Sequence, residues 1–148
     1  MSINTQYTPD QFFTSHPVHV RFRDLDPLNH VNNAVFNTYF EEARIAFILE
    51  VPELRAEMES HYSFVLAHLD LHYLKPIHLR EPIAVYSSLM ELGNSSITGI
   101  QAIFNTETQQ CKAVAKTTGV WFDVSAGRPA RLPDIANPDH YLIRESDG

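Results

Sequence analysis

The side chains most capable of chemistry are concentrated in one short segment, residues 21–33. It reads Arg-Phe-Arg-Asp-Leu-Asp-Pro-Leu-Asn-His-Val-Asn-Asn and contains two carboxylates, one imidazole and three carboxamides. Carboxylates and imidazoles serve as general acids, general bases and nucleophiles. The segment precedes a predicted helix, whose first four main-chain N–H groups lack intrahelical acceptors. Such an end attracts anions and stabilises an oxyanion, because the free N–H groups and the helix dipole point the same way.

The same residue types also have a purely structural interpretation. Asp, Asn and Pro before a helix are common turn and capping residues, and Asn32 alone is explained as the helix N-cap. Capping does not explain why Asp26 and His30 share one short loop in front of an apolar helix. The geometry of the loop distinguishes the two interpretations.

Hydrophobic periodicity predicts the elements that position this segment. Val18, Val20 and Phe22 alternate with polar residues, which predicts a short half-buried strand. A helix is predicted over residues 33–49, because its apolar side chains fall on one continuous arc, and Pro52 ends it. The face opposite this arc is predicted to be polar and consists of Asn37, Glu41 and Arg44.

After the helix, apolar residues recur at every second position, which is typical of strands. Strands are predicted near residues 69–73, 81–92, 95–106 and 110–124. The segments 92–95 and 106–110 are rich in turn-forming residues and predict hairpin connections. The order of one strand, a long helix and four further strands predicts an α+β fold, in which a largely antiparallel sheet packs on one central helix.

Several of these segments together resemble a known family, the hotdog-fold acyl-CoA thioesterases. The resemblance begins with the run Asp-x-Asp-Pro-x-x-His-Val-Asn-Asn at residues 24–33 and the aromatic-rich helical segment at 36–44. It extends through residues 73–77, 92–96 and 120–123 and so covers nearly the whole chain. The most similar group is that of 4-hydroxybenzoyl-CoA thioesterase and its bacterial relatives, and plant acyl-ACP thioesterases carry a similar run.

The resemblance implies a hotdog fold, with a long central helix wrapped by a five-stranded, mainly antiparallel sheet and the active site at a dimer interface. It implies that Asp26 is the catalytic carboxylate, which either attacks the thioester carbonyl or activates a water molecule. The oxyanion donor is then the Asn33 N–H, and His30 belongs to the catalytic set, as in the plant enzymes. Asn32 is a candidate substrate-binding residue. Asn29 replaces the common glycine before His30, and Asn tolerates the left-handed backbone that this turn needs.

Two further groups of reactive side chains have simpler explanations. His68, Asp70 and His72 suggest a metal site. Consecutive members lie roughly 6.5–7 Å apart along a straight strand and converge poorly, so a subunit contact is the favoured interpretation. Cys111 has no histidine paired with it in the sequence and is predicted to be an inert thiol.

The charge of the chain restricts its partners. Eleven Lys and Arg against 18 Asp and Glu give a net charge of −7, which opposes general attraction to nucleic acid or an anionic membrane. The phosphates of a CoA-type ligand therefore need local cations, for which we predict Lys75, Lys112 and Lys116.

No apolar window is long enough for membrane insertion. The first six residues lack the features of a secretory signal, which predicts a cytoplasmic location.

The sequence thus predicts one domain over residues 1–148, with a core at about 16–124 and a C-terminal extension at 125–148. We expect a homodimer or homotetramer that hydrolyses an acyl-CoA or acyl-ACP thioester without a metal or organic cofactor. The alternative is a non-hydrolytic acyl-carrier-binding protein of the same fold. Such a protein would lack the catalytic carboxylate, whereas Asp26 is present. Hotdog dehydratases, a third class, place their His and acid on different elements.

Overall fold

Helix α1 (Asn33–Leu49) forms the centre of the fold and has the bounds that the sequence predicts. This computed structural model describes residues 4–146. Residues 1–3 of the segment tested for a secretory signal and residues 147–148 of the predicted extension lie outside it. The side chains that α1 buries include most of the predicted apolar arc, namely Phe36, Tyr39, Phe40, Ala43 and Phe47.

Two details of the helical region differ from the prediction. Arg44, predicted on the polar face, is only 8% exposed, and its Nη1 lies 3.5 Å from the Gln101 Oε1 of the sheet. Its long aliphatic stem allows it to pack as an apolar side chain does. Pro52 was predicted only to end the helix, but it is also the first residue of a second helix, α2 (Pro52–Met58). The fixed φ of proline suits the first helical position.

The strands form one antiparallel sheet. They are β1 (Thr14–Val18), β2 (Tyr62–Tyr73), β3 (Ile83–Leu92), β4 (Ser96–Asn105), β5 (Cys111–Asp123) and the two-residue β6 (Arg128–Pro129). Their order is β1-β3-β4-β5-β2, and β6 pairs with the end of β5. The predicted hairpins join β3 to β4 and β4 to β5. In the described part of the chain, the long strand β2 pairs only with β5 and forms an edge.

The first strand lies earlier than predicted. It ends at Val18, and Phe22, expected to be half-buried, is 80% exposed in a 3-10 turn. The Arg21 N–H donates to the Asp24 carboxylate at 3.0 Å instead of continuing the sheet. The alternation of apolar and polar residues therefore continues to Val20 and Phe22, beyond the last residue of the strand.

The core lies mainly between α1 and one face of the sheet. The first half of α1 packs on residues such as Val85, Ile103 and Ala115, and the second half packs near Trp121. Residues after β6 return to this second cluster, where Leu132 and Tyr141 are buried. A central helix held by an antiparallel sheet is the hotdog fold, so the predicted fold class is confirmed. No helix within residues 4–146 combines the length and apolar character needed to span a bilayer.

Candidate active site

The loop between β1 and α1 is closed by its own main chain. Leu25 and Val31 form an isolated antiparallel bridge, and the Asp26 N–H donates to the His30 carbonyl at 2.8 Å. The Asn29 N–H donates to the Asp26 carbonyl at 3.0 Å. Asn29 has a φ of 62°, which confirms the expected left-handed turn. Asp26 and His30 are therefore held side by side by the backbone.

The two carboxylate oxygens of half-buried Asp26 have different surroundings. Oδ1 accepts hydrogen bonds from the N–H groups of Leu28 at 2.9 Å and His30 at 3.3 Å. Among the hydrogen bonds within residues 4–146, none uses Oδ2. A carboxylate fixed through one oxygen keeps the other available for attack on a carbonyl or for accepting a proton.

Four of the predicted site residues line one cleft of about 350 Å³, namely Asp26, His30, Asn33 and Lys75. The remaining wall is mostly apolar and consists of Leu28, Val31, Phe36, Tyr73, Leu74 and Pro76. A largely apolar cleft with a few convergent polar groups is typical of a small-molecule site. The loop, the start of α1 and the end of β2 thus build the cleft together.

The start of α1 has an unbonded main-chain donor at a residue that lines this cleft, within the part of the chain that the structure describes. Asn33 is the first helical residue, and no described hydrogen bond of residues 4–146 uses its main-chain N–H. Asn32, by contrast, is the N-cap, because its Oδ1 accepts from the Ala34 N–H at 2.9 Å. The Tyr73 hydroxyl donates to the Asn33 carbonyl at 3.1 Å, and its ring meets the Phe36 ring edge-on. Tyr73 was predicted as a strand residue and as part of the family resemblance, but not as a site residue.

His30 contacts a second histidine that the sequence analysis missed. The two residues form an isolated bridge, and the His30 and His78 ring centroids lie 4.9 Å apart in an edge-to-face arrangement. Within the described chain, no hydrogen bond joins the His30 imidazole to Asp26, so His30 bonds to that carboxylate through its main-chain N–H and not through its ring. Because 48 positions separate the two histidines, no local pattern indicates this contact.

The first carboxylate of the motif, Asp24, is buried beneath the loop. Tyr39 Oη donates to its Oδ2 at 2.6 Å, and Arg21 Nη2 donates to its Oδ1 at 2.9 Å. Burial by itself would raise the pKa of the Asp24 carboxyl, but these hydrogen bonds and the Arg21 charge outweigh it and lower that pKa. Burial and the neighbouring carboxylate raise the pKa of Tyr39. Asp24 is therefore a buried anion that does not line the cleft.

Comparison with known proteins shows the family of this chain. Residues 20–137 match the sequence profile of the Thioesterase-like superfamily. The chain belongs to this superfamily. The matched region contains every residue that lines the cleft.

Two of three similar proteins are named as thioesterases. A thioesterase from Thermus thermophilus, solved in complex with coenzyme A and Zn, is 38% identical with a TM-score of 0.71, covering 84% of this chain and 94% of that one. The chloroplastic acyl-acyl carrier protein thioesterase ATL3 of Arabidopsis thaliana is 26% identical over 136 residues, which are 89% of this chain and 71% of that protein. The uncharacterized protein YsmA of Bacillus subtilis is 29% identical over 94 residues, which are 64% of this chain, and the match spans 63% of its length. The family, the Thermus protein and the Arabidopsis protein are all named for thioesterase activity, which supports thioester hydrolysis in general.

The predicted phosphate contacts of this superfamily member fall in three different environments. Lys75 is exposed at the cleft. Lys112 is only 4% exposed, and its Nζ lies 2.6 Å from Glu81 Oε2. The prediction that Lys112 contacts a ligand phosphate is therefore wrong, because its charge is buried and paired. Lys116 is half-buried on β5, paired in register with Asp70 of β2, and lies outside the cleft lining. Of the three, only Lys75 is placed to meet a ligand in the cleft.

The other reactive side chains lie outside the cleft. His72 Nε2 is 3.2 Å from Asp70 Oδ1, and a β-bulge interrupts the strand next to His68. In the described chain, no three His, Cys, Asp or Glu side chains are grouped closely enough to hold a metal ion. Burial raises the pKa of the Cys111 thiol to about 11.

Proposed function

We propose that this protein hydrolyses the thioester of an acyl-CoA or acyl-ACP, with Asp26 as the catalytic carboxylate. One observation carries the proposal. Asp26 and Asn33 line the same cleft. Among the hydrogen bonds within residues 4–146, none uses Asp26 Oδ2 or the Asn33 N–H. A thioester needs a nucleophile or base at its carbonyl carbon and a donor at its carbonyl oxygen.

In the proposed mechanism, the thioester carbonyl oxygen accepts a hydrogen bond from the Asn33 N–H. The dipole of the 17-residue helix α1 adds to the stabilisation of the negative charge that forms on this oxygen. Asp26 Oδ2 then either attacks the carbonyl carbon and expels the thiolate, giving an anhydride that water hydrolyses, or removes a proton from an attacking water. His30, on the same cleft, is proposed to contact the substrate beside Asp26.

We propose that the acyl group is carried by CoA or ACP, both of which bind it through a phosphopantetheine thiol. The complex of the Thermus relative with coenzyme A and the name of the Arabidopsis relative support this class. Lys75 is the proposed phosphate contact, since a chain with a net charge of −7 needs a positioned cation beside the cleft. Lys116 and Asn32 stay predicted substrate contacts, and the cytoplasmic location also stays a prediction.

We further propose that the active unit is a homodimer or homotetramer. Within residues 4–146, the outer edge of β2 has no strand partner over its 12 residues. Val65, Leu66, Tyr73 and Leu74, on this strand and just after it, are at least 38% exposed. A long apolar edge strand is a template for pairing with another chain. Because Tyr73 and Leu74 also line the cleft, such pairing would place the partner next to it.

The test is a thiol-release assay with short, long and aromatic acyl-CoAs on the wild type and Asp26→Asn. We expect Asp26→Asn to lower kcat about 10²- to 10⁴-fold while its fold and oligomeric state are unchanged. Asp134→Asn is the matched control, because it removes an exposed carboxylate outside the cleft lining and should retain full activity. Normal turnover by Asp26→Asn would refute the proposal. Tight acyl-CoA binding by the wild type without thiol release would favour the non-hydrolytic binding protein.

A further inference from the structure

The proposed mechanism leaves unexplained the most buried polar residue of the motif. Asp24 is 1% exposed and does not line the cleft, so its carboxylate does not reach a substrate there. Burying an isolated carboxylate is costly unless it is fully hydrogen-bonded. A buried anion two positions before the proposed catalytic Asp26 therefore needs a physical reason.

The Asp24 side chain joins two parts of the structure. Its Oδ2 accepts from Tyr39 Oη at 2.6 Å and from the Arg21 N–H at 3.0 Å. Its Oδ1 accepts from Arg21 Nη2 at 2.9 Å and Nε at 3.2 Å. Arg21 lies near the start of the loop, whereas Tyr39 lies in the second turn of α1 and is 4% exposed. One carboxylate thus connects the first part of the loop to the buried side of the helix that follows it.

The main chain of Asp24 also closes the loop, through a hydrogen bond to the residue that caps α1. Its carbonyl accepts the Asn32 N–H at 2.8 Å, and Asn32 is the N-cap of α1. Both ends of the segment between them, which contains Asp26, are therefore fixed at Asp24. The loop is fixed to the helix twice, through Asn32 at its first turn and through Tyr39 at its second.

We propose that Asp24, held by Tyr39, is a positioning residue that sets the Asp26 carboxylate relative to the Asn33 N–H. This inference rests on the proposed function. In hydrolysis, the carboxylate and the oxyanion donor must meet adjacent atoms of one carbonyl group. A displacement of about 1 Å caused by a change far from the reacting atoms can lower the rate about 100-fold. The charge-assisted hydrogen bonds of Asp24 restrict such a displacement, because they are short and strong.

The test compares kcat and KM of Tyr39→Phe with those of the wild type, on the acyl-CoA that the wild type hydrolyses fastest. The phenylalanine keeps the ring in the core and removes only the hydroxyl. We expect kcat to fall about 10- to 100-fold with little change in KM, because loop position affects the reaction more than binding. Asp24→Asn should lower kcat in the same way. The double variant should be no slower than Asp24→Asn, since both changes disrupt one interaction.

The matched control breaks a partly buried hydrogen bond elsewhere, between α2 and β5. Trp121 Nε1 donates to Glu57 Oε1 at 2.6 Å, and neither residue belongs to the cleft lining. Glu57→Leu should lower the melting temperature without changing the kcat of the folded enzyme. If Tyr39→Phe and Asp24→Asn keep wild-type kcat, or raise KM alone, the positioning role is refuted.

Two failures are distinguishable in this experiment. Full activity of Asp26→Asn would refute the proposed function itself. An inactive Asp26→Asn together with a fully active Tyr39→Phe would refute only the role of Asp24. Because Tyr39→Phe is a small change, its result decides the question even where Asp24→Asn fails to fold.

Discussion

The ammonium group of Lys112 lies 2.6 Å from the carboxylate of Glu81, and both side chains are at least nine-tenths buried. Lys112 Nζ also donates to the Pro76 carbonyl at 3.2 Å, and Glu81 Oε1 accepts the His78 N–H at 3.0 Å. The Lys75 N–H donates to the Lys112 carbonyl at 3.0 Å. Lys112 therefore holds the segment after β2 that forms one wall of the cleft.

Replacing Lys112 by Met is expected to lower the free energy of unfolding by about 3–5 kcal/mol, because Glu81 is left as a buried, uncompensated charge. Urea unfolding measures the loss. Lys116→Met is the control on the same strand, where Lys116 forms no ion pair within residues 4–146 and we expect a change within about 0.5 kcal/mol. The Lys112→Met, Glu81→Gln double variant should recover part of the loss. Equal effects of the two lysine variants would contradict the structural role of the ion pair.

Acid is expected to destabilise the fold through two buried carboxyl groups. For both, burial raises the pKa, but hydrogen bonds and a nearby cation outweigh it, so the folded-state values lie below the ordinary 3.8 of Asp24 and 4.5 of Glu81. A lowered folded pKa contributes stability that is fully present above the unfolded pKa and is lost as the pH falls through the folded value. Urea unfolding between pH 7 and pH 3 should show this loss. Asp24→Asn should flatten it, and an unchanged pH dependence would contradict the role of Asp24.

Local patterns were sufficient to predict most of the fold. The bounds of α1 and the two hairpins follow from hydrophobic period and turn-forming residues, which a short window of sequence contains. The prediction that the first strand continues to Phe22 was wrong, because the ladder ends where Val18 pairs with Ile83, the first residue of β3. The Arg21 N–H beyond it bonds to the Asp24 carboxylate, which an apolar pattern does not reveal. Arg44 was misplaced because helical periodicity does not show that a long cationic side chain reaches Gln101 of the sheet.

The site was predictable only where its residues lie close in sequence. Asp26, His30 and Asn33 belong to one motif and line one cleft. The contact of His30 with His78 and the pairing of Lys112 with Glu81 depend on how distant segments meet in the folded chain. An isolated lysine on a strand looks like a surface cation in the sequence, whatever its partner in the fold.

Cys111 is expected to be dispensable for catalysis, and its thiol is expected to react slowly with disulfide reagents. Because burial raises its pKa to about 11, few molecules carry the thiolate near neutral pH. A disulfide reagent at pH 7.5 should modify Cys111 roughly two orders of magnitude more slowly than a free cysteine of pKa about 8.5. Cys111→Ala should keep wild-type kcat and KM. Rapid modification that abolishes activity would show that the thiol takes part in the reaction.

Gly119 of β5 is expected to resist substitution, because the tip of the Phe64 ring occupies the space that a Cβ would need. Phe64 also lines a cavity of about 30 Å³ beneath the second half of α1, together with Phe47 and Leu54. Gly119→Ala must displace this ring, and overpacking of this kind costs about 1–3 kcal/mol of unfolding free energy.

The control for this prediction is Gly99→Ala on β4, where the nearest atom to an added Cβ is the Ser88 carbonyl oxygen at 3.4 Å, an ordinary contact. Thermal or urea unfolding should show a clear loss for Gly119→Ala and a smaller change for Gly99→Ala. Combining Gly119→Ala with Phe64→Leu should recover part of the loss, since the smaller side chain no longer fills the Cβ position. If the second substitution only adds to the loss caused by the first, the Phe64 ring does not limit residue 119, and the prediction is wrong.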